Sequence, residues 1–170
     1  MYKILSAQKS DLKEITRIYN VSIAEKNATA RLTPVSLCER EAWFEAHEET
    51  SRPIYALKKL NDGKILAWGS LSDFNPKEAY RITAEISVYV APEARGKGLG
   101  GRLVNFMLER APEFGIKNVV ALIFSSNAAS LNLFAKFSFT RWGELPEVCD
   151  MDGKPESLTI LGKNLSSAAK

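Results

Sequence analysis

Between Ala94 and Arg102 the chain reads Arg95-Gly96-Lys97-Gly98-Leu99-Gly100-Gly101, four glycines and two cations in seven residues. An apolar run rich in β-branched residues, Ile86-Ser87-Val88-Tyr89-Val90, precedes it. A helical pattern follows, with Leu99, Leu103, Phe106, Met107 and Arg110 on one face. Glycines at a strand-to-helix turn let several backbone N–H groups converge without interference from Cβ atoms. The new helix adds its own unpaired donors and the positive end of its dipole. With Arg95 and Lys97 supplying charge, such a turn is a cradle for a phosphate or pyrophosphate. A mere tight turn would need neither so many glycines nor two cations.

The rest of the chain reads as one alternating pattern around that turn. Tyr2 to Ser6 is a short strand. Asp11 with Glu14 has the spacing of a capping box, and Leu12, Ile15, Ile18 and Tyr19 share one face of the helix that follows. Asn27 to Arg31 is a polar loop. Ser36 with Glu39 opens a second helix that runs through Trp43-Phe44 towards His47. Ile54 to Leu60 and Ile65 to Leu71 are strands joined by the hairpin signal Asn61-Asp62-Gly63-Lys64. Arg81 to Val90 is the next strand, Leu99 to Phe114 a helix stopped by Gly115, and Asn118 to Phe124 another strand. Asn127 caps a short helix carrying Leu131, Phe134 and Ala135. Strands near Thr140 to Leu145 and Ser157 to Lys163 close the order βαα–βββ–α–β–α–ββ. The expected fold class is α/β (α+β), one mixed central sheet of about seven strands with about four helices. Residues 1–165 are expected to form a single domain, with a frayed polar tail at 166–170.

Two phosphate-binding folds can be set against this pattern. Gly96, Gly98 and Gly101 satisfy G-x-G-x-x-G, but a dinucleotide fold needs an acidic residue at the end of the next strand to hold a ribose. That strand ends Ile123-Phe124-Ser125-Ser126-Asn127, with no carboxylate, and the glycines follow an antiparallel meander instead of a first βαβ unit. A Walker A loop fails because no Gly-Lys-Ser/Thr follows at the required spacing.

The run Arg-Gly-x-Gly-x-Gly after Val-Tyr-Val resembles the cofactor motif of the GNAT N-acetyltransferase superfamily, through Arg95, Gly98 and Gly100. Thr33-Pro34-Val35-Ser36, Trp43-Phe44, His47, the stretch Tyr80 to Val90, Leu145-Pro146-Glu147-Val148 and Ile160-Leu161-Gly162-Lys163 are similar to its phosphinothricin/methionine-sulfone branch. The resemblance implies splayed central strands that form a cleft for acetyl-CoA. It implies pantetheine paired along Val88, Tyr89 and Val90. The pyrophosphate would lie on Arg95, Gly96, Lys97, Gly98, Leu99, Gly100 and Gly101, with Asn127, Ser130 and Lys136 as further contacts. It also implies a homodimer, in which the loop Ala28 to Leu32 completes the partner's pocket.

Acetyl transfer to an amine needs a group that takes the amine's proton, because a free amine is mostly protonated at pH 7. Glu85 lies in an otherwise apolar and hydroxylic strand, where burial would raise its pKa. By resemblance it is the general base. Arg81, four positions earlier on a regular strand, would share its face and could clamp a substrate carboxylate. Tyr80, Thr83 and Lys77 are the other candidate substrate residues. Many relatives carry a proton-donating tyrosine in the helix after Asn127, but here Phe134 stands there and Ser138 replaces a usual glycine. The implied reaction is transfer of acetyl to the α-amine of a small amino-acid analogue. A peptide or protein N-acetyltransferase of the same fold and a non-catalytic acyl-CoA-binding module are the alternatives.

Composition adds mainly exclusions. A net charge of +3, with 23 basic and 20 acidic residues spread evenly, gives no nucleic-acid footprint. No apolar run reaches the ~18 residues of a membrane span, and the N-terminus lacks a signal-peptide core. A cytoplasmic protein is expected. One histidine, His47, leaves no material for a metal cluster or a Ser-His-Asp triad, so no metal is expected. Cys38 reads as a buried helix residue and Cys149 as a loop thiol. Trp43, Phe44 and Trp68 read as core.

Overall fold

The computed structural model of the protein describes residues 1–165; the tail at 166–170 lies outside the described residues. Seven strands form one sheet: β1 (Tyr2–Ser6), β2 (Ile54–Lys59), β3 (Ile65–Asp73), β4 (Thr83–Val90), β5 (Asn118–Phe124), β6 (Thr140–Asp150) and β7 (Pro155–Asn164). Their spatial order is β1-β2-β3-β4-β5-β7-β6. All neighbours are antiparallel except β4 and β5, which run parallel at the centre. Four helices pack on this sheet: α1 (Leu12–Glu25), α2 (Leu37–Glu45), α3 (Leu99–Arg110) and α4 (Ala128–Ala135).

β3 is buried along almost its whole length, so both of its faces are covered. Its alternation assigns the layers. Trp68 meets Tyr19 of α1 and Trp43 of α2, at ring distances of 6.1 and 5.5 Å. The next residue, Gly69, faces Met107 of α3 on the other side. A Cβ at Gly69 would stand 2.6 Å from the Met107 Cε and 2.8 Å from the backbone oxygen of Ser87 in β4. The glycine thus lets β3 pair closely with β4 while α3 lies on top. Leu99, Leu103, Val104 and Met107 turn the apolar stripe of α3 into that core.

The central rung is incomplete. β4 pairs with β3 from Ala84 to Val90, but with β5 only through Thr83–Asn118, Ala84–Val119 and Glu85–Val120. Beyond Glu85 the two parallel strands part, and the β5-facing edge of β4 from Ile86 to Val90 is left without a strand partner. β5 instead continues its pairing with β7 up to Phe124.

Several local expectations change. Ser36 and Glu39 form the expected capping box, but Asp11 and Glu14 do not: the Asp11 carboxylate accepts from the Gln8 backbone N–H and pairs with Lys58. The α3 helix ends at Arg110 and passes through a 3-10 turn, Ala111–Phe114, before Gly115 at φ +72° stops it. Arg81 is not in a strand; it belongs to a 3-10 turn, Glu78–Ile82, and β4 begins at Thr83. Cys38 is exposed on α2 and Cys149 lies within β6, both unpaired. Replacing Gly69 by alanine forces Met107 and the β4 carbonyl apart. The expected loss is about 1–3 kcal/mol, read by urea denaturation. An unchanged midpoint would mean that the sheet relaxes freely at this point.

Candidate active site

The parting of β4 from β5 opens a cleft of about 400 Å³. Its walls are the unpaired stretch Val88 to Val90, the glycine turn, the first turn of α3 and one side of α4. Gly96 and Gly98 both have φ of +73°, a left-handed conformation that an L side chain adopts only with strain. Gly98 is the N-cap of α3, so the donors of the first helical turn are presented at the cleft. Gly100 and Gly101 act through size. Their Cβ positions would lie 3.4 Å from Leu133 and Val90, and 3.5 Å from Phe137, holding α3, α4 and β4 at close approach.

Of the residues expected around a cofactor, Val88, Tyr89, Val90, Arg95, Gly96, Gly98, Leu99, Gly100, Gly101, Asn127, Ser130 and Lys136 line this cleft. Lys97 is not part of its wall; the ammonium donates to the Glu93 carbonyl at 2.9 Å. Arg95 is also committed. Its guanidinium forks onto Glu25 at the end of α1, at 2.8 and 2.9 Å, and Nε donates to the Val90 carbonyl. The salt bridge pins the turn between β4 and α1, so backbone N–H groups, more than these two cations, are what the cleft offers an anion. Asn127 caps α4 by accepting from the Ser130 N–H at 3.0 Å, and its amide donates to the Asn27 carbonyl at 2.8 Å. Ser22, Glu25, Asn27 and Ala28 of α1 and its following loop complete the wall. Nothing in their own sequence marks them, because a long loop-closing contact brings them there.

A second pocket of about 420 Å³ lies on the α1–α2 side of the same strand, and Tyr89 lines both. Glu85, Ser87 and Tyr89 of β4 face it from one side, Ser70 and Ser72 of β3 from another. Tyr19, Arg40, Trp43 and the loop residues Thr29 and Arg31 close it over the top. The loop expected to reach into a partner's pocket thus lines a pocket of its own chain. Glu85 is the last residue of β4 paired with β5, so its carboxyl stands where the strands part. Burial pushes its pKa above the ordinary carboxylate range. Ser72, directly opposite Glu85 in the β3–β4 register, does not offset this, since its hydroxyl is taken by His47. His47 Nδ1 lies 2.8 Å from the Trp43 carbonyl, which only accepts, so Nδ1 carries the proton and Nε2 accepts from Ser72 at 3.0 Å. Burial lowers the His47 pKa, keeping that neutral tautomer.

The other four substrate residues expected from sequence do not line this pocket. Arg81 sits in the turn before β4, where its carbonyl accepts from Arg52 at 2.9 Å, and its side chain borders a separate depression with Arg52 and Asp73. The 3-10 turn breaks the strand alternation that would have set Arg81 beside Glu85. Tyr80 is exposed against Phe74, and Lys77 caps the same turn from outside. Thr83 accepts a hydrogen bond from Asn118 at the start of the β4–β5 ladder. Arg40, which is not among the residues expected from sequence, is the buried cation at the pocket. Its signal was legible as a charge one turn before Trp43, on the face that the aromatic buries. Trp43 and Trp68, read as core, also line the pocket. Phe134 is buried against Phe139, with ring centroids 5.0 Å apart. Among the described residues, no cluster of three or more His, Cys, Asp or Glu is placed to hold a metal, and no helix is long and apolar enough to cross a membrane.

The sequence pattern of the acetyltransferase (GNAT) family matches residues 15–139. A Bacillus subtilis relative named for phosphinothricin acetyl transfer is 42% identical over 160 residues, covering 94% of this chain and 97% of its own. The L-methionine sulfoximine/L-methionine sulfone acetyltransferase of Pseudomonas aeruginosa is 38% identical over 162 residues, covering 95% and 94%. A crystal structure of a phosphinothricin acetyltransferase from Sinorhizobium meliloti in complex with acetyl-CoA superposes with a TM-score of 0.90 at 26% identity, over 96% of this chain and 88% of that one. The parted strands, the glycine-lined cleft and these relatives agree: the chain belongs to the GNAT acetyltransferase family and is an acetyl-CoA-dependent N-acetyltransferase.

Proposed function

We propose that this enzyme acetylates the α-amine of a small amino-acid analogue of the phosphinothricin, methionine sulfone or methionine sulfoximine type, with Glu85 as general base. One observation carries the reading: a half-buried carboxyl stands at the point where β4 leaves β5, in a pocket that shares Tyr89 with the cofactor cleft. The substrate class comes from the names of the relatives, one for phosphinothricin and one for methionine sulfoximine and sulfone. The reading also has the enzyme working as a cytoplasmic homodimer without nucleic-acid or membrane partners.

The cleft fits acetyl-CoA through the chain's own groups. The open edge of β4 from Ile86 to Val90 offers backbone donors and acceptors to the amides of pantetheine, as an added strand would. The N–H groups from Gly96 to Gly101, at the positive end of α3, suit the pyrophosphate. Asn127, Ser130 and Lys136 border the same cleft. Acetyl-CoA supplies the activated acyl group as a thioester. On the other side of β4, an acceptor amine arrives as an ammonium ion and must lose a proton before it can attack. Glu85 takes that proton, directly or through a water. Burial improves Glu85 as a base, because a raised pKa brings it closer to the working pH. The aromatic side chains of Tyr19 and Trp43 over the pocket, with Trp68 of β3 beneath them, limit the access of bulk water to the step. Phe134 has no proton to give, so the departing CoA thiolate takes its proton from water.

Two outcomes follow from Glu85. Replacement by glutamine should lower kcat by about 10²–10⁴-fold near neutral pH, and remove the acid limb of the pH–rate profile. The same substitution should raise Tm at neutral pH. Because the folded-state pKa of Glu85 is raised, its carboxyl favours folding at low pH, and that contribution is lost as pH rises through the raised value. The Tm difference should therefore close as pH falls below the unfolded pKa of glutamate. A variant that is slow and no more stable would assign Glu85 to structure. For the cofactor, Gly98→Ala introduces about 1–2 kcal/mol of left-handed backbone strain. Relief of that strain moves the amides of the cradle. The Kd for CoA measured by calorimetry should rise about tenfold, whereas an unchanged Kd would mean that these amides do not hold the pyrophosphate.

A further inference from the structure

Arg40 is 5% exposed, yet no carboxylate among the described residues pairs with it. Arginine keeps its charge when buried, so an unpaired guanidinium at this depth is costly. Three rings offset part of that cost: the guanidinium carbon lies 4.2 Å from the Tyr19 centroid, 4.4 Å from Trp43 and 5.5 Å from Trp68. These contacts use the faces of the planar group. Its N–H donors point within the plane, where the ring faces do not serve them, and the Tyr19 hydroxyl is the neutral partner beside them. Nε is sealed from solvent with no acceptor at all.

The pocket contains one other arginine, Arg31, and it is already neutralised by Glu39 at 2.9 Å. Glu39 in turn is held by the Ser36 capping box. Glu85 is the remaining carboxyl of the pocket wall, and burial alone raises its pKa. The phenols of Tyr19 and Tyr89 lie in the same wall; burial pushes the Tyr89 phenol up, so it stays a donor. A cation backed by aromatic faces, flanked by hydroxyls and short of an anion, is a half-built oxyanion site.

We propose that Arg40 is the specificity residue of this pocket, binding an oxyanion carried by the acceptor while Glu85 serves its amine. This inference rests on the function proposed above. The oxyanion is a carboxylate or a phosphinate, and on a small amino-acid analogue it sits either at the α-carbon or at the end of the side chain. The planar donor edge suits two oxygens of one group, which a lysine cannot match.

Steady-state kinetics with four acceptors test it: methionine sulfone, methionine sulfone carboxamide, phosphinothricin, and phosphinothricin carboxamide. Arg40→Met should raise KM for the oxyanion that Arg40 binds by about tenfold to a hundredfold, with a smaller change in kcat and none in KM for acetyl-CoA. Arg40→Lys should recover part of the loss. If the wild-type enzyme discriminates acid from carboxamide and the variants do not, the bound group is the α-carboxylate. If the preference for phosphinothricin over methionine sulfone is what disappears, it is the side-chain phosphinate. The inference is overturned if the variants keep both preferences, if they raise KM for acetyl-CoA equally, or if the wild type discriminates neither pair. Should Arg40→Met fail to fold, the wild-type comparison and Arg40→Lys decide alone. Absence of CoA release from every acceptor would instead sink the proposed function. In that event, calorimetric titration of the same four compounds into wild type and Arg40→Lys still reads Arg40: binding that weakens in the variant supports it, and no binding to wild type overturns it.

Discussion

Everything in this structure that bears on chemistry depends on a hydrogen-bond ladder that stops early. β4 and β5 share three rungs and then part after Glu85. A buried strand edge with unsatisfied N–H and C=O groups is costly unless something pairs with it. Here β3 secures the other edge of β4 through Val90, so the strand stays in the sheet while its β5 side opens. β5 is drawn away by its long antiparallel pairing with β7. The opening is therefore a stable property of the sheet. It places the glycine turn, the first turn of α3 and the cap of α4 around one cleft.

The electrostatics follow from the same geometry. On the cleft side the obvious cations are spent: Arg95 forks onto Glu25 and Lys97 donates to a carbonyl. Backbone donors and the helix end carry the attraction for an anion. Across β4 the balance is different. Arg40 there is buried among aromatic rings, where a missing partner matters more than in water. Glu85 has its proton affinity raised, and Arg40 has rings where an acid would be expected. Tyr89, stacked on Trp68 at 4.7 Å, forms the wall between the two compartments.

The sequence revealed most of the cofactor side and less of the acceptor side, for a physical reason. The cofactor cleft is built from local features: a glycine turn, the strand before it, and the Asn127 cap. Each leaves a mark within a few residues, and twelve of the thirteen positions expected there line the cleft. Seven strands and four helices were legible from period and turn signals as well. The pocket proposed for the acceptor is assembled from α1, α2, the loop between them, β3 and β4, so its composition depends on packing at long sequence separation. Arg81 was assigned to it by extending β4 two residues too far, and a 3-10 turn that leaves no clear signal broke the alternation. Arg40 was missed because Trp43 and Phe44 draw attention to the helix as core. Asp11 illustrates the same limit at smaller scale. Its spacing to Glu14 suggested a capping box, but Lys58 of β2 holds the carboxylate instead.

The central claim is that the unpaired edge of β4 and the glycine turn are completed by the cofactor. Backbone hydrogen exchange with and without CoA tests it directly. In the free protein, amides of Ile86 to Val90 that face β5 should exchange quickly, while their alternate neighbours, paired with β3, should be protected. Saturating CoA should slow the first set together with amides between Gly96 and Gly101, and leave the second set unchanged. Protection confined to other parts of the chain, with both of these segments exchanging as before, would contradict the account.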